Sequence, residues 1–245
     1  TFDGTAYKGF QFQKNLPTIQ GELNAAVSKV CNEKISVLGC GRTDAGVHAK
    51  KYVASFRTNS DIGTEKLKTA LNSILPYDII ILKVVEAPEN FHAIASAKAK
   101  EYTYEMYNTP LRDPFLLHRA YYFGYPEVNI DLLKKGAEYF LGTHDFISMR
   151  SMGTETKTTV RTIYELEIIP TETGVNFRIL ANGFLYNMAR AIVGTLLQVG
   201  ISKILPEDIP KILEAKDRAC AGPNVPAYGL YMTNIIYEEF DLDEK

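Results

Sequence analysis

The spacing of apolar residues switches repeatedly between helical and alternating, and this rhythm predicts most of the chain's elements. Thr18 stands before Ile19, Leu23, Ala26, Val27 and Val30, which recur at the helical period and predict a capped amphipathic helix. The run Ile35-Ser36-Val37-Leu38 reads as a strand ending in a glycine-bracketed loop from Gly39 to Gly46, and Tyr52 to Arg57 as the strand that follows. Thr64 opens a helix carrying Leu67, Leu71, Ile74 and Leu75, which Pro76 stops, and Ile79 to Val85 reads as a buried strand.

Ala97 to Tyr107 alternates strictly, with Lys98, Lys100, Tyr102, Tyr104 and Met106 on one face, and predicts a long strand that is basic and aromatic on that side. Beyond it we expect a strand at Tyr121 to Phe123 and a helix at Asp131 to Leu141 capped by Asn129. Strands at Arg161 to Ile169 and Val175 to Asn182 follow, then a long helix from about Leu185 to Val199. A helix at Pro206 to Ala215 and a strand at Leu230 to Tyr237 close the chain. The short Thr-Glu-Thr-Gly link between two of these strands favours antiparallel pairing over a parallel βαβ sheet. The expected class is α+β, with two α/β halves: residues 1–95, carrying the glycine-rich loop, and residues 96–245.

Composition narrows the classes. The chain has 245 residues, 46% hydrophobic and 23% charged, enough for a real core, and no apolar run approaches the length of a membrane span. It opens at Thr1 without a signal-peptide pattern and is expected to begin inside a longer natural sequence, in the cytoplasm. Cys31, Cys40 and Cys220 are odd in number and far apart, which predicts buried free thiols in a reducing compartment. His48, His92, His118 and His144 show no ligand spacing, so no metal is expected. The net charge of −2 does not advertise nucleic-acid binding, and local charge has to carry any such case.

The loop Gly39-Cys40-Gly41-Arg42-Thr43-Asp44-Ala45-Gly46 is where chemistry is most concentrated. Arg42 and Asp44 are its charged residues, and on extended backbone they would project to one side, the guanidinium favouring an ionised carboxylate. The plain alternative is a turn in which Asp44 bonds its own backbone and pairs with Arg42. Neither a dinucleotide nor a phosphate-loop pattern is present.

The string Gly41 to Ala49 resembles the signature of the TruA family of tRNA pseudouridine synthases, and other segments resemble that family in the same order. These are Asp3-Gly4-Thr5-Ala6-Tyr7-Lys8-Gly9-Phe10-Gln11 with Thr18 to Leu23, Lys100-Glu101-Tyr102-Thr103-Tyr104, the stretch Asn182 to Gly194, Ala215-Lys216-Asp217-Arg218, and Gly229-Leu230-Tyr231. The family's first strand would start several residues before Thr1, and Phe2 stands where Tyr is common.

The resemblance implies a pseudouridine synthase fold of two RRM-like or ferredoxin-like α/β halves joined around a central cleft. It implies an isomerase that converts uridine to pseudouridine at positions 38 to 40 of the tRNA anticodon stem-loop, without a cofactor and as a homodimer. Asp44 would be the catalytic carboxylate, acting as nucleophile or as base. Arg42 would hold the gap left by a flipped nucleotide, Tyr102 would stack on the base, and Arg190 would pair with Asp44 in the closed pocket. Phe184 and Met188 would help to wall that pocket, and His48 is read as structural.

For RNA contact the candidates are Lys14, Lys50, Lys51, Arg57, Lys98, Lys100, Arg150, Lys157 and Arg161, set against the reading that most are solvated surface charges. Taken without the resemblance, Tyr102 could be core and Arg190 a charge snorkelling past an apolar helix face. Two rival functions stand beside the main one: a non-catalytic RNA-binding module with aromatic, basic strand faces, and a pseudouridine synthase for another RNA.

Overall fold

A computed structural model describes residues 1–125, 127–153 and 156–238. In chain order the elements are α1 (Ile19–Cys31), β1 (Leu38–Gly39), β2 (His48–Ala49), β3 (Ala54–Ser55), α2 (Thr64–Ile74), β4 (Ala97–Tyr107) and β5 (Tyr121–Tyr122). They continue with α3 (Ile130–Glu138), β6 (Gly142–Asp145), β7 (Val160–Pro170), β8 (Gly174–Ala181), α4 (Met188–Gly200), α5 (Ile209–Glu214) and β9 (Leu230–Tyr237). The protein is mixed α+β. Its chain forms two compact units, Thr1–Lys98 with the segment from Met232 onward, and Ala99–Tyr231.

In the first unit the Thr18 hydroxyl accepts the Gly21 amide and opens α1, whose Ile19, Leu23, Ala26, Val27 and Cys31 are buried. The expected strand at 35–38 is cut to Leu38–Gly39, paired antiparallel with Ala54–Ser55. The reason lies in α1, whose side chains satisfy the backbone that a strand partner would have served. Ser28 Oγ accepts from the Ile35 amide at 2.9 Å, Asn24 Oδ1 from the Val37 amide at 2.7 Å, and Gln20 Nε2 donates to the Val37 carbonyl.

The expected strand at Ile79 to Val85 is likewise not formed. Ile79 is buried and bridges Phe2, but Asn72 takes both the amide and the carbonyl of Ile81, and Leu82 stands 63% exposed. Residues 232–238 belong to this unit because they are tied to it. The Met232 carbonyl accepts the Lys50 and Lys51 amides, and Tyr237 donates its hydroxyl to the Ala93 carbonyl.

The second unit is built on β8, which pairs antiparallel with β4 (Tyr102 opposite Ile179) and with β7 (Ile168 opposite Phe177). β6 extends the sheet beyond β7, and β5 lies parallel to β4. Alternate residues of β8 are buried, so Val175, Phe177, Ile179 and Ala181 face the core with Tyr102, Tyr104 and Met106. The other face carries Arg178 between Glu101, Glu165 and Glu167, and the carboxylates of Glu167, foremost, and Glu101 raise its pKa.

α4 is mostly apolar and largely buried, with Ile192, Val193, Leu196 and Val199 shut off from solvent. It begins at Met188 rather than Leu185 because Asn187 takes the left-handed conformation (φ 62°) and turns the chain. α3 ends at Glu138, short of Leu141, and the predicted helix at 206–215 is a 3₁₀ turn running into α5. The four-residue strand β6 has no counterpart in the sequence reading.

Candidate active site

The loop bearing Arg42 and Asp44 is braced from several sides, all within the first unit. Tyr52 donates its hydroxyl to the Gly41 carbonyl while its ring stacks on Phe10, centroids 4.7 Å apart. A Cβ on Gly39 would meet the Tyr52 hydroxyl at 2.2 Å and the Phe10 ring at 2.4 Å, which is why this position carries none. The Phe10 amide donates to the Thr43 carbonyl at 3.1 Å, and Gly9 (φ +91°) brings that backbone so close that a Cβ would lie 2.5 Å from the same oxygen.

Beyond Thr43 the chain turns tightly: the Val47 amide returns to the Asp44 carbonyl at 3.1 Å, with Gly46 at φ +81° supplying the positive φ at the third turn position. β2 then pairs with Phe2 through reciprocal amide bonds to Ala49. His48 is 2% exposed, and its Nδ1 accepts the Gly4 amide at 3.1 Å with an Asp3 carboxylate oxygen 3.0 Å away. That ring fastens the opening segment to the loop.

This bracing leaves Asp44 half-buried at the head of its turn and Arg42 exposed. Among the described residues Arg42 makes no hydrogen bond or ion pair, so the pairing of Arg42 with Asp44 weighed from sequence is not formed. The cause is the clamp on either side of it: with the Gly41 and Thr43 carbonyls both held, Thr43 turns inward and Arg42 outward. The Thr43 hydroxyl is buried without a hydrogen-bond partner among the described residues.

In the second unit, Tyr102 lies on the inner face of β4, 7% exposed, and meets the ring of Phe184 edge-on at 4.9 Å and 85°. The turn carrying Phe184 is held by Asn182, whose amide donates to the Thr162 carbonyl and whose Oδ1 accepts the Thr162 amide. Arg161 lies against the same turn, its Nε 3.5 Å from where a Gly183 Cβ would stand, and its Nη1 donates to the Thr158 and Val160 carbonyls. Burial lowers the pKa of its guanidinium. Met188 is fully buried and packs as core wall.

Arg190 is the charged residue of α4, and it does not snorkel to the surface. It is half-buried, its Nε donating to the Val225 carbonyl at 2.7 Å and its Nη1 to Asn187 Oδ1 at 2.8 Å. The sequence reading missed Asn187 as a partner, although Asn and Arg three apart at a helix start are neighbours on one face.

Among the remaining RNA-contact candidates, Lys98 is ion-paired with Glu238 at 2.9 Å, and Lys100 is half-buried two residues before Tyr102. Arg57 spends its guanidinium on the Glu89 carbonyl, and Lys51 is half-buried with its amide on Met232. Lys14, Lys50 and Lys157 are exposed, while Arg150 has a buried Nε without a partner among the described residues. Cys31 and Cys40 are buried as expected, but Cys220 is exposed, because it ends a surface 3₁₀ turn. Among the described residues no group of three or more His, Cys, Asp or Glu is arranged to hold a metal ion, and no helix is long and apolar enough to cross a membrane.

A family model described as tRNA pseudouridine synthase matches residues 1–94 and 137–238. A protein named tRNA pseudouridine synthase A from Thermoanaerobacter sp. (strain X514) is 45% identical over 236 residues, 96% of each chain. Proteins of the same name from Caldicellulosiruptor bescii and Bacillus subtilis are 46% and 42% identical, over 96% and 97% of each chain. With similarity of this depth running along almost its entire length, the chain belongs to the tRNA pseudouridine synthase family.

Proposed function

We propose that this protein isomerises uridine to pseudouridine in the anticodon stem-loop of tRNA, at positions 38 to 40, with Asp44 as the catalytic carboxylate. The observation that carries the reading is the loop itself: hydrogen bonds hold the carbonyls of Gly41, Thr43 and Asp44, yet Asp44 heads the turn half-buried and Arg42 stands in solvent. Such a loop fixes the backbone from which both charged side chains leave, so the loop itself has little freedom left to lose on binding.

The reaction breaks the bond between N1 and C1′, turns the uracil, and joins C5 to C1′, the proton lost from C5 being balanced by one gained at N1. It consumes no water and moves no net electrons, so a carboxylate acting as nucleophile or base is the group the chemistry asks for. The target nucleotide must leave its stack, at a cost of a few kcal/mol. Arg42, exposed beside Asp44, fits the group that holds the vacated gap. Tyr102, steadied by Phe184, is the stacking partner for the base, and Arg190 is the cationic partner of the carboxylate.

Lys98, Lys100, Lys51, Arg57 and Arg161 are proposed to meet the RNA backbone. The protein is further proposed to work without a cofactor, as a homodimer in the cytoplasm. The test is to map pseudouridine in an anticodon-arm RNA before and after incubation with the pure protein and with Asp44→Asn. New pseudouridine at those positions with the parent alone supports the reading. RNA that is bound but unmodified by the parent would point to a binding module, and equal turnover by Asp44→Asn would remove Asp44 from the chemistry.

A further inference from the structure

Arg190 is the end of a continuous line of hydrogen bonds. Its Nη1 donates to Asn187 Oδ1 at 2.8 Å, and the other end of that amide, Nδ2, donates to Ser151 Oγ at 2.9 Å. Asn224 Nδ2 donates to the same Ser151 oxygen at 3.0 Å, and Arg218 Nη2 donates to Asn224 Oδ1 at 2.9 Å. Arg218 is itself held by the Gly222 carbonyl at 2.8 Å. All five residues lie in the second unit, and Ser151 and Asn224 lie outside its strands and helices.

Two features surround this line. Asn187 occupies the N-cap position of α4, where an Asn side chain normally accepts a first-turn amide, yet it makes no capping bond. Its side chain is given to Arg190 and Ser151 instead. The loop that supplies Asn224 and the Val225 carbonyl also lies hard against α4. A Cβ on Gly194 would sit 1.7 Å from the Pro223 carbonyl oxygen, one on Gly222 would sit 2.6 Å from Thr195 Cα, and the Gly222 amide donates to Thr195 Oγ1 at 2.9 Å. The platform under the guanidinium is therefore rigid at backbone level.

We propose that Ser151, with Asn187, Asn224 and Arg218, is a positioning residue for the reaction, setting the direction of the Arg190 guanidinium. The logic is directional. Ser151 accepts from Asn187 Nδ2, which turns the carbonyl end of that amide toward Arg190. Without the serine oxygen, the amide keeps only its bond from Arg190 and loses the second anchor that fixes the angle at which it meets the guanidinium. Asn224 meets the same oxygen from the other side and prevents it from swinging away. The proposal rests on the reading of Arg190 as cationic partner of the catalytic carboxylate.

Single-turnover isomerisation at saturating enzyme, tRNA affinity and thermal unfolding are to be measured for the parent, Ser151→Ala, Ser151→Thr, Arg190→Lys and the double variant Arg190→Lys/Ser151→Ala. Displacing a catalytic group by a fraction of an ångström to one ångström costs up to about a hundredfold in rate, so Ser151→Ala should lose about ten- to a hundredfold while tRNA affinity holds. Ser151→Thr keeps the hydroxyl and should restore most of the rate. The double variant should be no slower than Arg190→Lys alone, because the serine acts through the arginine. A parent rate in Ser151→Ala beside a slow Arg190→Lys overturns the relay, as does a serine effect that multiplies onto Arg190→Lys. A parent rate in Arg190→Lys would instead overturn the reading of Arg190, and the relay with it.

Discussion

The amide of Phe10 donates to the carbonyl of Thr43 at 3.1 Å, so the residue between Arg42 and Asp44 is fastened to a segment more than thirty positions earlier in the chain. That bond, with the Tyr52 hydroxyl on Gly41, converts a glycine-rich stretch that would otherwise sample many conformations into a single one. The chemistry proposed for Asp44 depends on this bracing as much as on the carboxylate.

Gly9→Ala should therefore impair the site without touching it. Gly9 has φ +91°, and an added Cβ would lie 2.5 Å from the Thr43 carbonyl oxygen, which is backbone and has nowhere to go. A left-handed alanine alone costs about 1–2 kcal/mol, before the clash. Thermal unfolding should fall and isomerisation should fall further, because the loop holding Asp44 shifts first. Unchanged activity and stability would show that the loop does not depend on this contact.

Tyr102 separates stacking from hydroxyl chemistry. Tyr102→Phe keeps the ring against Phe184 and should bind and turn over substrate nearly as the parent does. Tyr102→Ala removes a face worth about 1–3 kcal/mol per stacked base and about 0.5–1.5 kcal/mol of aromatic contact with Phe184. Single-turnover rates and tRNA affinity for the pair, read beside their unfolding temperatures, decide it. Equal behaviour of the two variants would make Tyr102 ordinary packing.

Affinity for tRNA should fall steeply with salt despite the net charge of −2. Each phosphate neutralised contributes about −0.7 to −0.9 to the slope of log affinity against log salt, whatever the protein's total charge. Lys100→Gln, on the Tyr102 face of β4, should flatten that slope by about one unit. Lys134→Gln and Lys135→Gln should leave it unchanged, since both residues are exposed on α3 and Lys135 is already paired with Glu207. Titrations over a range of salt check this, and flattening by the α3 variants alone would place the RNA elsewhere.

Acid should loosen the segment leading to Ser151. Asp145 accepts from the Thr159 hydroxyl at 2.6 Å and the Ile147 amide at 3.2 Å, and pairs with Lys216 at 3.1 Å. These contacts, the Thr159 bond foremost, hold its pKa below the usual 3.8. A depressed carboxylate stabilises the fold above its unfolded pKa and loses that contribution as pH falls through the folded value. Unfolding temperatures of the parent and Asp145→Asn should thus differ at neutral pH and converge below about pH 4. A difference that persists undiminished into acid would contradict the assignment.

Legibility varied with the range of the interactions. β4 and β9 have the bounds their alternation predicts, and the hairpin of β7 and β8 follows from a four-residue link between two alternating runs. The run 35–38 misled because its backbone bonds to helix side chains, an arrangement that no periodicity records. The run 79–85 misled because hydrophobicity alone does not supply a partner strand.

In the site, Arg42 and Asp44 stood out as charges among glycines, but the direction each takes depends on Tyr52 and Phe10. The line through Ser151 was hidden for a similar reason: it joins residues 36 and 73 positions apart through single hydroxyl and amide groups that any loop could carry.

By itself the sequence determined the α+β class, the major strands and helices and the family, and it proposed a short list of candidate residues for the chemistry. Those properties follow from local periodicity, turn residues and ordered motifs, all of which are written within a few positions of one another. Only the tertiary structure decided that Arg42 faces solvent while Thr43 turns inward, that the Asn187 side chain meets Arg190 and Ser151, and that glycines 194 and 222 let a loop rest directly on α4. Those outcomes turn on contacts between distant segments, where a few tenths of an ångström of backbone approach separate a fit from a clash.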